Sequence, residues 1–197
     1  SINQRSDAYG GSRAGRMRFL QEAIAATRRG AGEDMVLGVR LSGEEKDHHG
    51  VEIDEMLEVC AAMDANPALD YLNVTAGTSA GLAGSTHIVP PMAYETAYTA
   101  PIAAAIKARV SKPVFVAARI NQPQIAVAVL QSGQADMYGM TRALISDPQM
   151  PAKAARGAIS DIRACVACNQ ACIGHMLNAC AISCIQHPET GRELEFG

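Results

Sequence analysis

The sequence has no tryptophan and few aromatic residues of any kind, at 4% of its 197 residues. It therefore offers few rings on which the bases of a single-stranded nucleic acid could stack. The formal net charge is −3 and the sequence contains no basic block, which argues against binding to a phosphate backbone. We predict that the protein does not bind nucleic acid.

Long apolar runs are also missing, because none approaches the ~20 residues that a membrane-spanning helix needs. The N-terminal segment is mostly polar and does not resemble a signal peptide. Six cysteines occur without a secretory context, and thiols in a reducing compartment are more often metal ligands than disulfides. These features predict a cytoplasmic protein that is not bound to a membrane.

Four cysteines follow one another near the C-terminus with the spacing C-x2-C-x3-C-x11-C. They are Cys165, Cys168, Cys172 and Cys184. Thiolates at such separations suit an iron–sulfur cluster or a zinc ion, and spacing alone leaves both open. Cys60 lies on the apolar stripe of a helical pattern, and Cys180 falls between the third and fourth cysteines. We predict that these two are buried apolar side chains rather than ligands.

Apolar runs of strand length alternate with helical patterns four times along the chain. The predicted strands cover residues 35–41, 70–75, 113–119 and 135–142, and the Gly-, Ser- and Thr-rich segment 76–91 is predicted to be irregular. Alternation of this kind gives a parallel sheet. A closed (β/α)8 TIM barrel needs eight units and about 250 residues. We predict an α/β fold that is a partial barrel of about four β/α units, in preference to an open sheet or a barrel completed by a second copy.

Three of the four predicted strands end in arginine, at Arg40, Arg119 and Arg142. In barrels the carboxyl ends of the strands carry the functional site. One such arginine would indicate only a surface ion pair, worth about 0–1 kcal/mol. Three of them favour an anionic ligand, because guanidinium groups complement phosphate.

Six segments in order resemble one known family. They are Asn3-x-Arg5-x-Asp7-x-Tyr9-Gly10-Gly11-Ser12, Val39-Arg40-Leu41-Ser42, Ala118-Arg119-Ile120-Asn121, Gly139-Met140-Thr141-Arg142 with Asp147-Pro148, Cys165-x-x-Cys168-Asn169-Gln170-x-Cys172, and Ser183-Cys184-Ile185-Gln186-His187-Pro188. Together they resemble the second half of the flavin barrel of the old yellow enzyme-like NADH:flavin oxidoreductases. The resemblance is to the iron–sulfur branch, which includes 2,4-dienoyl-CoA reductase, trimethylamine dehydrogenase and N-methylproline demethylase-like proteins.

This resemblance implies two cofactors, FMN and a [4Fe–4S] cluster. It places Arg40 at the N1/O2 edge of the flavin, where a cation stabilises the negative charge of the reduced ring. The implied contacts of the FMN phosphate are Ala118, Arg119, Gly139, Met140, Thr141 and Arg142, and the implied cluster ligands are Cys165, Cys168, Cys172 and Cys184. FAD and NAD(P)H would belong to a further C-terminal region found in multidomain relatives.

Two positions depart from the family pattern, and one histidine is a candidate catalytic residue. Ala118 stands where the family usually has glycine, so a Cβ would crowd a close approach of the phosphate. Ala167 also replaces a common glycine. His87 lies in the region from which dienoyl-CoA reductases draw a proton-donating histidine, although its spacing to Pro90 differs. The main catalytic residues are expected upstream of Ser1.

The predicted organisation is an FMN-barrel half at residues 1–160 followed by a cluster segment at 161–197. The predicted function is hydride transfer between a small organic substrate, preferably an N-methylated amine, and FMN, with electrons relayed through the cluster. The alternatives are an NAD(P)H-dependent enoate or dienoyl-CoA reductase and, in another class, a zinc-stabilised binding module without catalysis. Predicted partners are the substrate, the rest of the barrel, an electron-transfer partner and a second copy of the chain. The chain alone is expected to be inactive.

Overall fold

The computed structural model of the chain describes residues 3–196. Ser1, Ile2 and Gly197, which fall within the predicted domain bounds, lie outside the described residues. Within that range the strands form one parallel sheet in chain order. They are β1 (Gly38–Ser42), β2 (Tyr71–Thr75), β3 (Val114–Ala117) and β4 (Met137–Gly139). The predicted α/β partial barrel is confirmed.

Helices follow the strands and also precede the first of them. They are α1 (Arg13–Ala31), α2 (Ile53–Asp64), α3 (Leu82–Ile88), α4 (Ala100–Lys107), α5 (Pro123–Gln131), α6 (Arg142–Ser146), α7 (Met150–Ala155), α8 (His175–Leu177) and α9 (Glu193–Phe196). A 3-10 turn spans Ile159–Asp161 and a π-helical turn spans Gln170–Gly174. Helix α1 begins after Ser12, whose side chain accepts a hydrogen bond of 3.1 Å from the Gly15 amide, as N-cap residues do.

The two faces of the sheet have different environments. Leu72, Val74, Val114 and Val116 point to one face and are fully buried in the core beneath the helices. Successive strand residues alternate between faces, so the residues between them point to the opposite face. Tyr71 and Phe115, for example, stack with their ring centroids 4.3 Å apart. The helices therefore cover one side of the sheet, and the side that faces the interior in a closed barrel carries the polar strand residues.

The prediction of an irregular segment at 76–91 is wrong in part, since residues Leu82–Ile88 form α3. Glycine and threonine have low intrinsic helix propensity, and tertiary packing overrides that preference here. Gly84 is buried in this helix, and a Cβ at this position would lie 2.5 Å from the Thr78 methyl group. The glycine is therefore required by the packing of α3 against the loop before it.

The prediction that three strands end in arginine also needs correction. Arg40 lies in the middle of β1, Arg119 follows β3 by two residues, and Arg142 is the first residue of α6. Strand β4 ends earlier than predicted, at Gly139, because Thr141 already has helical backbone angles (φ −98°, ψ −64°) and precedes α6. The three arginines nevertheless line one pocket beside the strand ends.

Strands β1 and β4 are the edges of the sheet in the described part of the chain. On β4 the side chains of Met137 and Tyr138 are 51% and 40% exposed. An apolar, unpaired edge strand is a site of self-association unless another element covers it. Across residues 3–196, no helix combines the length and apolar character that crossing a membrane requires.

Candidate functional site

A pocket of about 250 Å³ lies where strands β1 to β4 give way to the loops that follow them. We call it the strand-end pocket. Arg40 and Asn73 are register partners on adjacent strands, so both point to the uncovered face of the sheet. The remaining lining residues are Ile88, Val89, Ala117, Ala118, Arg119, Ile120, Asn121, Gly139, Thr141, Arg142, Ala143, Cys165, Ala167 and Ile173. Every residue assigned to FMN by resemblance lines this pocket except Met140, which packs against the core.

The three arginines give the pocket its positive charge, and no carboxylate within residues 3–196 forms an ion pair with any of them. Arg40 is exposed, and its side chain makes no hydrogen bond or ion pair with another described residue. The Arg119 Nε donates to the Tyr94 carbonyl at 3.1 Å, and the Arg142 Nη1 donates to Asn169 Oδ1 at 2.6 Å. Most guanidinium donors are therefore left for an anion.

The backbone of the pocket is strained where β3 ends. Ala118 has φ +113° and Arg119 has φ +57°, a left-handed conformation that residues with a Cβ rarely adopt. The surrounding loop holds this turn, because the Ala97 amide donates to the Arg119 carbonyl at 2.9 Å and the Thr99 hydroxyl donates to the Ala117 carbonyl. Strain held in this way is concentrated at binding sites. A glycine at position 118, which the resemblance implies, would therefore have a conformational reason as well as a steric one.

Two asparagines leave hydrogen-bonding capacity free in the same pocket. Asn73 Oδ1 and Asn121 Oδ1 are buried without a partner, among the described residues. Buried polar atoms are normally satisfied, so these acceptors fit a ligand that carries donors. Gly139 adds room, since a Cβ there would meet only Ala117 Cβ at 3.5 Å and the Val116 oxygen at 4.0 Å. A phosphorylated ligand with hydroxyl groups, such as FMN, fits this set of side chains.

The four clustered cysteines line a second, small cavity, which we call the cysteine cavity. It brings together the sulfur-bearing side chains that the spacing predicts, Cys165, Cys168, Cys172 and Cys184, with apolar neighbours around them. All four are free thiols. Within residues 3–196, no three His, Cys, Asp or Glu side chains are arranged to hold a single metal ion. The four thiols nevertheless line one common cavity.

Backbone amides point at two of these sulfurs. The Ala167 amide donates to Cys165 Sγ at 3.3 Å, and the Gln186 amide donates to Cys184 Sγ at 3.4 Å. Hydrogen bonds to sulfur are a main means by which proteins set the potential of an iron–sulfur cluster. Burial raises the pKa of the Cys165 thiol, and the Ala167 amide and the Arg142 cation act in the opposite direction.

Arg142 forms part of the wall between the two cavities. It lines the strand-end pocket and the cysteine cavity, as do Cys165 and Ala167. Burial lowers the pKa of Arg142, and the nearby Cys165 and Cys172 thiols oppose that change. An arginine remains charged in a protein, so the same cation faces the anion pocket on one side and the sulfurs on the other.

His87 does not line the strand-end pocket. It lies near the end of α3, its Nδ1 is 2.7 Å from the Tyr98 hydroxyl, and its ring stacks on the Tyr98 ring. It lines a separate, polar pocket beside Glu44, Lys46 and His48. Burial, and after it the positive charge of Lys46, lowers the pKa of His87. His87 is therefore next in sequence to Ile88 and Val89, which line the strand-end pocket, but its own side chain lies outside the walls of that pocket.

Cys180 corrects a prediction, because it is exposed rather than buried, whereas Cys60 is fully buried as predicted. The Cys180 thiol donates to the Asn178 carbonyl at 3.5 Å and does not line the cysteine cavity. The cysteine segment turns outward there, since the Cys180 amide bonds to the His175 carbonyl and closes the short helix α8. This local turn thus leaves the Cys180 side chain exposed on the surface.

Sequence reasoning assigned no role to Asn73, Asn121, Asn169 or Tyr98. The sequence did contain an indication of a functional role for two of them, because Asn121 and Asn169 belong to the segments that carry the family resemblance. Asn169 links two loops, because it accepts from Arg142 and its Nδ2 donates to the Val89 carbonyl at 2.8 Å. Asn73 gave no separate signal, because a single polar residue within a strand shows its direction only once the register is known.

The family model that describes the NADH:flavin oxidoreductase / NADH oxidase family matches residues 1–161. The match covers most of the chain, so the chain belongs to this family of flavin-dependent enzymes. The predicted resemblance to these oxidoreductases is confirmed.

Individual relatives span nearly all of this chain. A metal reductase of Desulforamulus reducens is 40% identical over 195 residues, and an N,N-dimethylglycine/sarcosine dehydrogenase of Chromohalobacter salexigens is 35% identical over 192 residues. Each match covers 98% of this chain and 28% of the relative. Among solved structures, a 2-naphthoyl-CoA reductase complex superposes with a TM-score of 0.89 at 29% identity, over 98% of this chain and 29% of its own. The chain thus spans about 28% of the length of the curated relatives it matches.

Proposed function

We propose that this chain is the cofactor-holding part of an FMN- and iron–sulfur-dependent oxidoreductase. The observation that carries the proposal is the common wall of the two cavities, in which Arg142 faces both a three-arginine pocket and a cavity lined by four cysteines. When bound, FMN supplies a hydride acceptor that handles two electrons, and a [4Fe–4S] cluster supplies a carrier of single electrons. An adjacent pair of such sites suits the conversion of two-electron into one-electron transfer.

In this proposal the arginines have distinct roles. Arg119 and Arg142 lie beside the strained turn after β3 and the start of α6, where they would hold the phosphate through charge-assisted hydrogen bonds. Arg40 lies on β1 in the same pocket, where its unpaired charge would stabilise negative charge on the flavin ring. The open space beside Gly139 admits the ligand close to the backbone.

For the cysteines, the arrangement favours an iron–sulfur cluster over zinc. Four cysteines can hold either a structural zinc ion or a [4Fe–4S] cluster. The chain belongs to a family of flavin enzymes, and a redox-active cluster beside the strand-end pocket suits such an enzyme better than a structural ion. Amide donors to the Cys165 and Cys184 sulfurs are consistent with this role.

The substrate that we propose is an N-methylated amine. Hydride would leave the N-methyl carbon, water would add to the resulting iminium carbon, and the products would be formaldehyde and the demethylated amine. Support comes from the relative whose name is N,N-dimethylglycine/sarcosine dehydrogenase. The second candidate is NAD(P)H-dependent reduction of an activated C=C bond. The structural likeness to a 2-naphthoyl-CoA reductase favours it.

The proposed organisation assigns residues 1–160 to the FMN barrel and 161–197 to the cluster segment. The same proposal has four further parts. They are completion of the active site by further barrel strands, reoxidation by an electron-transfer partner, association into homo-oligomers and a cytoplasmic location. The two uncovered sheet edges support the first of these, because a barrel closes only when both edges are paired.

The test is cofactor analysis of the full-length protein purified without oxygen, followed by two reductive assays. We expect FMN together with iron and acid-labile sulfide, and little zinc. Addition of sarcosine or N-methylproline should bleach the flavin absorbance and release formaldehyde. Bleaching by NADH, with turnover of an enoate such as cinnamate, would instead establish the reductase. Zinc without flavin would overturn the proposal and support the non-catalytic binding module.

A further inference from the structure

Asn121 links the strand-end pocket to the cysteine segment. Its Nδ2 donates a hydrogen bond of 2.7 Å to the backbone carbonyl of Cys165, the first of the four clustered cysteines. Its Oδ1 is buried without a partner, and the residue lines the strand-end pocket. One planar amide group therefore holds the cysteine segment with one end and leaves the other end free for a ligand.

The two ends of this amide cannot be oriented independently. Rotation that brought Oδ1 to a different ligand atom would carry Nδ2 away from the Cys165 carbonyl, since both atoms belong to one rigid plane. An acceptor buried without a partner is unfavourable until a donor reaches it. The hydroxyl groups of FMN are such donors. The position of Cys165 thus decides whether Asn121 Oδ1 is correctly placed for the flavin ligand.

A second link runs parallel to the first. Asn169, in the cysteine segment, accepts from Arg142 at 2.6 Å and donates to the Val89 carbonyl at 2.8 Å. Arg142 and Val89 both line the strand-end pocket. Ordering of the cysteine segment therefore fixes groups on two sides of the anion pocket. A ligand that binds to an already ordered pocket loses less conformational freedom.

We propose that Asn121 couples the two cofactor sites, so that filling the cysteine cavity tightens FMN binding and FMN binding in turn protects the metal centre. Asn121 is a positioning residue in this scheme. The inference rests on the function proposed above. By linkage, each ligand changes the affinity for the other by the same factor.

The experiment measures FMN affinity by flavin fluorescence in the full-length protein, with the cysteine centre loaded with iron and sulfide and after its removal by a chelator. We expect FMN to bind at least about five-fold more tightly to the loaded form, the lower range of typical coupling. In Asn121→Ala the ratio of the two affinities should fall to about one. FMN should also slow the loss of iron to the chelator in the wild type, and this protection should disappear in the variant.

Asn73→Ala is the matched control. Asn73 lines the same pocket and has the same buried, unpartnered Oδ1, but it makes no hydrogen bond with the cysteine segment. Its removal should weaken FMN binding in both forms and keep their ratio. If Asn121→Ala does not fold, Asn121→Ser, whose side chain is too short to reach the Cys165 carbonyl, gives the same test.

Equal FMN affinities for loaded and unloaded wild-type protein would overturn the inference, as would an unchanged ratio in both Asn121 variants. These results differ from failure of the proposed function, in which the protein binds no FMN or no iron at all. Binding of both cofactors without mutual influence would leave the proposed function standing and remove only the coupling.

Discussion

The Arg142 guanidinium donates a hydrogen bond of 2.6 Å to the side-chain oxygen of Asn169, four residues after Cys165. Asn169 has the left-handed backbone conformation (φ +58°) that asparagine tolerates better than most residues. Its amide nitrogen is held in turn by the Val89 carbonyl at 2.8 Å. The orientation of Arg142 is therefore fixed before any ligand arrives, which lowers the entropic cost of binding an anion.

Replacement of Arg142 by alanine should weaken FMN binding about ten- to a hundred-fold, because a charged hydrogen bond contributes about 1.5–3 kcal/mol. Arg142→Lys should restore part of the affinity, since it keeps the charge but loses the planar fork. The matched control is Arg109→Ala, an exposed arginine that precedes β3 at the opposite end of that strand. Fluorescence titration with FMN measures all three. If Arg142→Ala and Arg109→Ala bind FMN with equal affinity, the proposal that Arg142 holds the FMN phosphate is contradicted.

Cys168→Ser should remove the visible absorption of the cluster and most of the iron, since its thiol lines the cysteine cavity. Cys180→Ser should leave both unchanged, because that thiol is exposed and outside the cavity. Both substitutions replace a cysteine sulfur by oxygen in the same segment, so Cys180→Ser controls for the general effect of losing a thiol. Iron analysis and absorption spectra under nitrogen provide the comparison. Equal iron loss in both variants would refute the ligand set.

Ala118→Gly should stabilise the fold by about 1 kcal/mol. Release of a strained φ of +113° contributes about 1–3 kcal/mol, and the greater freedom of glycine in the unfolded chain removes part of this gain. Ala117→Gly, one residue earlier in strand β3, should destabilise by about 0.5–1 kcal/mol, because there is no strain to release. Urea denaturation gives both free energies of unfolding. A destabilising effect of Ala118→Gly would disprove the strain.

Asp147 is 4% exposed and accepts hydrogen bonds from Lys153 Nζ at 2.6 Å and from the Arg163 amide at 2.9 Å. Burial alone would raise the pKa of this carboxyl, but the Lys153 and Arg163 hydrogen bonds outweigh it and the pKa is lowered. A carboxyl with a lowered folded-state pKa stabilises the fold above its unfolded pKa of about 3.9, and this contribution is lost as the pH falls through the folded-state pKa.

Asp147→Asn should therefore destabilise the protein by about 3 kcal/mol at neutral pH. The difference from wild type should shrink as the pH falls below about 4. Asp161→Asn, at an exposed carboxyl nearby, should change the free energy of unfolding by less than about 0.5 kcal/mol. Denaturation curves recorded from pH 3 to pH 7 measure the difference in free energy of unfolding between the variant and the wild type. A destabilisation that does not vary with pH would show that the carboxylate charge is not the cause.

Local signals predicted the order of the elements and several of their ends. Ser12 caps α1, and Gln122-Pro123 opens α5, because capping and the fixed φ of proline act over only a few residues. The four cysteines meet at one cavity because they are close in sequence, so short loops alone bring them together. These parts of the fold and site depend little on tertiary structure.

Features that depend on tertiary packing were missed. Met140 is close in sequence to three pocket residues, but its side chain packs against the core, because neighbouring residues point in different directions. The exposure of Cys180 follows from the turn after α8, which composition does not reveal. The roles of Asn121 and Asn169 depend on contacts across 44 and 27 residues of sequence, respectively. Such contacts are visible only in three dimensions.

The π-helical turn Gln170–Gly174 contains Cys172, the third of the clustered cysteines. A π-helical turn holds about one more residue than an α-helical turn does, and such turns are frequent at functional sites. Deletion of one residue here would restore ordinary helical geometry and rotate Cys172 away from its neighbours. The number of residues between Cys168 and His175 is therefore under stronger constraint than the identity of most of them. We expect natural variants of this segment to differ by substitution and not by length.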